Sequence, residues 1–183
     1  MYDKSVQMIS IVGLGIIVIF GAPLAQARVR QLDPSAFREL PADVVAELQR
    51  RNCKIPQFDK HMRSNVVQGR FFDSERTDWA VLCLLKKRTS LLVFLGGQGE
   101  NIAEIDTRPN NFSTWSIRPI NPQALMSLGW NGSKPALLEH QGIMSGVEYG
   151  EPTPGHIYDY SAEEKVFYYY RGKWLEAGTT IVN

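Results

Sequence analysis

The chain is short of the residues that most enzyme chemistries require. Of 183 residues only three are histidine and two are cysteine. His61, His140 and His156 are scattered, and none falls in the His-Glu-x-x-His spacing that sets two zinc ligands and a base on one helix face. The Gly-x-Ser-x-Gly elbow that exposes a nucleophilic serine is also missing, because Ile143 stands where Met144-Ser145-Gly146 would need its first glycine. Gly97-Gln98-Gly99 lacks the third glycine and the following helix of a dinucleotide site, so it reads as a hairpin turn. Excess charge is lacking too. A formal net charge of +1 gives no electrostatic reason to expect nucleic acid or an anionic membrane as partner. The one compact basic run, Lys86-Lys87-Arg88, reads as a solvated turn. No internal repeat stands out, and no cofactor or metal is expected.

What is present begins with an apolar leader. Lys4 and the amino terminus precede a twelve-residue run, Ile9–Phe20, and Ala25-Gln26-Ala27 has the small-x-small form of a cleavage site. As a helix that run rises about 18 Å, short of a hydrocarbon core that needs roughly 20 residues. Read instead as a retained anchor over Met8–Ala25, the segment would have its last turn broken by Pro23. Residues 1–27 are therefore expected to be a signal peptide, and the mature protein to be periplasmic or secreted with no stable membrane span. Residues 28–38, polar and containing Pro34, are expected to be a flexible leader, and residues 39–183 a single domain.

Both cysteines, Cys53 and Cys83, lie in the mature part, and export would place them where an even pair is normally bridged. Leu40–Arg51 is the clearest helix. Pro41 suits its start, Asp43 and Arg50 complement the dipole, and Leu40, Val44, Val45 and Leu48 form one apolar stripe. From residue 65 the pattern turns to strands: 65–72, 79–85, 90–95, 102–107, 112–120, 135–140, 141–147, 156–160 and 165–175. A helical turn or two is expected at 122–128, and turns at 161–164 and Arg171-Gly172. The fold class is α+β, an antiparallel β-rich domain with one N-terminal helix. Its core is expected to include Val44, Leu48, Val81, Leu84, Leu92, Phe94, Ile105, Ile143 and Phe167.

The segment Gly69-Arg70-Phe71-Phe72-Asp73-Ser74-Glu75-Arg76-Thr77-Asp78-Trp79-Ala80-Val81 resembles a degenerate FG-GAP or VCBS-type repeat, in which an acidic calcium loop leads into a short apolar strand. Asp78 and Trp79-Ala80-Val81 match it, whereas Arg76 and Thr77 are poor oxygen donors for calcium. Cys53-Lys54-Ile55-Pro56-Gln57, 65–69, 78–83, 92–94, Glu139-His140-Gln141-Gly142-Ile143 and 168–176 are similar to a family of uncharacterised exported bacterial proteins. That likeness implies a bacterial source and a Cys53–Cys83 bridge, and brings no activity with it.

Two functional readings remain. Tyr158, Tyr160, Phe167, Tyr168, Tyr169, Tyr170 and Trp174 fall within 17 residues. On a strand, Phe167 and Tyr169 share one face and Tyr168 and Tyr170 the other. One set is expected in the core, and Tyr168 and Tyr170, with Tyr158 and Trp174, on an outer face. Exposed tyrosines suit a binding surface for a protein or a glycan, while cross-strand aromatic pairing would merely stabilise the sheet. The other reading is an envelope hydrolase or metal-dependent enzyme that uses His140 with Glu139 and His156 with Asp159. Convergence of both histidines and two carboxylates in one cleft would favour it.

Overall fold

The computed structural model describes residues 29–58, 64–110, 114–122, 139–149 and 161–181. The expected signal peptide, His61, His156, Tyr158, Asp159, the expected strand at 156–160 and most of the helical turn expected at 122–128 lie outside them. Among the described residues there is one α-helix, α1 (Ala42–Arg50), and ten strands, all paired antiparallel. The fold is α+β and mostly β. None of its described helices is long and apolar enough to cross a membrane.

Two four-stranded meanders dominate. One is β3 (Val66–Gly69), β4 (Asp78–Leu85), β5 (Arg88–Phe94) and β6 (Ile102–Pro109); the other is β7 (Thr114–Ile120), β8 (Gly142–Tyr149), β9 (Ser161–Tyr170) and β10 (Lys173–Ile181). The nearly continuous apolar runs of β4 and β5 are explained by their place in the middle, buried on both faces. Trp79, Val81, Cys83, Leu92 and Phe94 pack under Phe37, Leu40, Val44 and Leu48. Ala80, Leu82, Leu91 and Val93 turn the other way, onto Trp115, Ile117, Ile143, Val147 and Phe167 of the second meander. Of the expected core, Leu84 and Ile105 are only half-buried. Ile105 sits where the β5–β6 register slips, since Leu91 pairs with Asp106 and Leu92 with Glu104.

Cys53 and Cys83 are joined, with Cα atoms 5.3 Å apart, so the short segment after α1 is stapled to β4. Backbone hydrogen bonds between Lys54 and Leu84 flank the bridge, at 2.7 and 3.2 Å. Gly99 lets the β5–β6 loop approach the helix, because a Cβ there would collide with the Asp43 carbonyl.

Three expectations are corrected. Residues 30–37 are not a flexible leader. Arg30–Leu32 forms β1, pairing with β2 (Ile55–Gln57), and Phe37 is 1% exposed. Asp33 secures the segment by accepting from Lys54 Nζ at 3.0 Å, Ser35 N at 3.1 Å, Ser35 Oγ at 2.8 Å and Gln49 Nε2 at 3.1 Å. Those donors, Lys54 foremost, hold its carboxyl well below the usual range. Residues 161–164 are strand, not turn, because β9 pairs with β8 from Ser161 onward. Glu139 and His140 are loop, with β8 starting at Gly142.

Candidate functional site

The β9–β10 hairpin decides where the aromatic residues go. Its turn is two residues, Arg171 and Gly172, so Tyr170 pairs with Lys173 and Tyr169 with Trp174. Paired residues share a face, which corrects the expected outer patch: Trp174 lies with Tyr169 and Phe167 on the face toward β4, opposite Tyr168 and Tyr170. Tyr168 is also not exposed. It is 2% accessible within a cluster with Ile120, Met144 and Val166, and only Tyr170 beside it is half-buried. His140 stacks flat on Tyr168, with ring centroids 4.4 Å apart and planes 6° off parallel. Burial raises the Tyr168 hydroxyl above the usual phenol range, against backbone hydrogen bonds from His140 and Glu139.

A different set of rings comes together at the end of the sandwich. Phe72, from the loop between β3 and β4, lies 4.3 Å from Tyr169, with planes 36° apart. Trp174 meets Tyr169 edge-on at 5.5 Å, and the Arg76 guanidinium stands 5.4 Å over Phe72. All three rings are half-buried. Phe72 is placed by Asp78, a 1% exposed carboxylate at the start of β4. Asp78 accepts the backbone N–H of Phe71 at 2.8 Å and Phe72 at 2.9 Å through one oxygen, and that of Gly96 at 2.8 Å through the other. Asp73 shapes the rest of the loop by accepting the backbone N–H groups of Arg76 and Glu75 and the Arg76 side chain, which holds its carboxyl below the usual range. Of the three acids in the segment Gly69–Val81, Asp73 and Asp78 are thus spent on backbone N–H groups and an arginine, and Glu75 is exposed. Sequence reasoning missed Phe72 and Arg76; the dipeptide Arg171-Gly172, read as a two-residue turn, would have placed Trp174 opposite Tyr169.

Elsewhere several polar groups pair with one another, while the buried Asn65 gives its Nδ2 to the Pro56 carbonyl at 2.7 Å and leaves its Oδ1 without a partner among the described residues. Between the meanders Arg108, 7% exposed, binds Asp106 at 2.8 Å and Glu163 at 2.7 Å and lies 5.4 Å from the Trp115 ring, whose Nε1 donates to Ser145 at 2.7 Å. A shallow cleft of about 520 Å³ beside α1 is lined by Asp43, Glu47, Arg50, Gln98, Gly99 and Glu100. Glu47 there is clamped by Arg50 and Arg51, each at 2.6 Å, which bring its carboxyl down to about 2. His140 Nδ1 faces the Gln141 carbonyl at 3.1 Å. Among the described residues no group of three or more His, Cys, Asp or Glu side chains could hold a metal ion. Comparison with protein-family models, with curated proteins and with solved structures finds no match to this chain.

Proposed function

We propose that this protein is an exported, non-enzymatic binding module, working in the periplasm or outside the cell. Its contact surface is the aromatic end of the sandwich, Phe72, Tyr169 and Trp174, with Tyr170 on the opposite face of the hairpin. The observation that carries the reading is that three rings from three segments converge and stay half-buried, whereas Tyr168 is consumed by packing. Rigid aromatic side chains give large contact area at small entropic cost. The disulfide, the apolar leader and a closed single domain support work outside the cytosol. His140 supports binding rather than catalysis, since its ring is stacked on a buried tyrosine and one nitrogen faces a backbone carbonyl.

Immobilised wild-type and Trp174→Ala protein, challenged with solubilised cell envelope, test it. Retention of a specific component by the wild type and its loss from the variant is expected. Equal retention by both would remove this surface from consideration.

A further inference from the structure

We propose, building on the binding reading above, that the ligand is an anionic glycan. Its sugar rings lie on Trp174 and Tyr169, and where it crosses the hairpin tip its acid groups are met by Arg171 and by Lys173, which shares the Tyr170 face. The first support is the turn itself. Arg171 and Gly172 have φ of 47° and 83°, the two left-handed positions that a two-residue hairpin turn of the primed type demands. Glycine, asparagine or aspartate fills the first such position at least cost; this chain holds an arginine there, and strained backbone collects where function requires a particular side chain. Lys86, between β4 and β5, shares the conformation at φ 53°. It stands at the far end of β4 from Asp78, so strain alone does not mark the site; strain beside the rings does.

The second support is charge. Arg171 and Lys173 are both exposed, and the guanidinium of Arg171 stands 5.1 Å over the Tyr170 ring. Among the described residues neither cation is within ion-pair distance of a carboxylate. Two nearby acids are already neutralised, Asp73 by Arg76 at 2.8 Å and Glu176 by Lys165 at 2.7 Å. Glu75 and Glu139 are exposed at the same end, as is Arg70. Cations at the tip with rings on either face suit a polymer that offers both a C–H surface for stacking and a carboxylate for a guanidinium. A net charge of +1 makes this local recognition rather than long-range attraction to any polyanion.

The test uses three acidic polymers, polygalacturonate, alginate and hyaluronan, together with fully methyl-esterified polygalacturonate, which keeps the rings and loses the charge. The folded, oxidised protein is titrated calorimetrically at low and high salt. At least one acidic polymer is expected to bind tenfold or more tighter than the ester, and to weaken as salt rises. Arg171→Gln with Lys173→Gln should erase that preference while leaving residual ring binding; Trp174→Ala should remove both, with far-UV circular dichroism confirming that each variant folds. Ester bound as tightly as acid would overturn the anionic assignment and leave the binding surface standing. No binding to any polymer overturns the glycan. In that case, binding to phosphatidylglycerol vesicles would reassign the tip to lipid headgroups, and unchanged envelope capture by Trp174→Ala would bring down the binding reading as well.

Discussion

The two sides of β4 are built to different standards. Toward α1, Val81 and Cys83 enter a closed apolar layer with Val44, Leu48 and Phe94, each 1% exposed or less. That layer is then locked by a disulfide. Toward the second meander the centre is equally apolar, but the margins are not. An arginine is buried between two carboxylates at one end, and three aromatic rings are left half-buried at the other. A surface kept for recognition would forgo some of the burial that stabilises it, so under the proposed binding role stability falls to the helix side and ligand contact to the sheet side.

Asp78 stands on the border, so its removal is the strongest test of whether the two sides are separable. Asp78→Ala leaves three backbone N–H groups without their acceptor, in the Phe72 loop and at Gly96. With each orphaned buried donor costing about 1–3 kcal/mol, a loss of about 4 kcal/mol in urea unfolding is expected, with the near-ultraviolet aromatic signal reduced. A loss under about 1 kcal/mol would show that the loop is not fastened to the core through this carboxylate. Next in size is the bridge. Cys53→Ala with Cys83→Ala should cost about 3 kcal/mol by freeing a loop of 30 residues in the unfolded chain. Capture of a ligand at Trp174 should persist at temperatures where the variant remains folded. Loss of capture without unfolding would mean that the helix side does shape the aromatic end.

Much of this division is legible in the residues, and the failures have a common cause. α1 and the β4–β5 hairpin announce themselves because their signals are local: an apolar stripe with charges ordered along the dipole, and two apolar runs split by Lys86-Lys87. β1 is three residues long and acquires its strand character only from β2, which contains Pro56. Nothing local distinguishes it from loop, although Asp33 and Phe37 anchor it firmly. The aromatic cluster is visible as composition, but its faces are not. Parity within β9 separates Tyr168 from Tyr169, while the face of Trp174 depends on the length of a turn, and Phe72 arrives from about a hundred residues earlier through hydrogen bonds to Asp78. Burial of Tyr168 under His140 is likewise a long-range outcome.

The pair between the meanders allows a finer comparison, through pH. Burial raises the Glu163 carboxyl, and Arg108 with a smaller share from Lys165 more than offsets that, so the folded value lies below its usual 4.5. Its contribution is therefore complete above the unfolded value, and is lost as pH falls from there through the folded one. Glu163→Gln should lower stability by about 1 kcal/mol at pH 7 and by progressively less on acidification toward pH 3, measured as the wild-type-minus-variant difference in urea midpoint. A difference independent of pH would mean that the carboxylate's charge contributes nothing to holding the two meanders together.

The smallest expected effect has the opposite sign. A non-glycine residue in the left-handed region costs about 1 kcal/mol, and asparagine bears that conformation best after glycine. Arg171, at φ 47°, is therefore a residue that the turn alone would not favour. Its contact with Tyr170, at 5.1 Å, returns only part of the difference. Arg171→Asn should raise the thermal midpoint, by about 0.5 kcal/mol in stability, while weakening acidic-glycan binding. A stabilised variant that binds less well is the signature of strain kept for recognition. If the midpoint falls instead, the arginine is there to support the hairpin, and the aromatic end follows the same rule as the helix side.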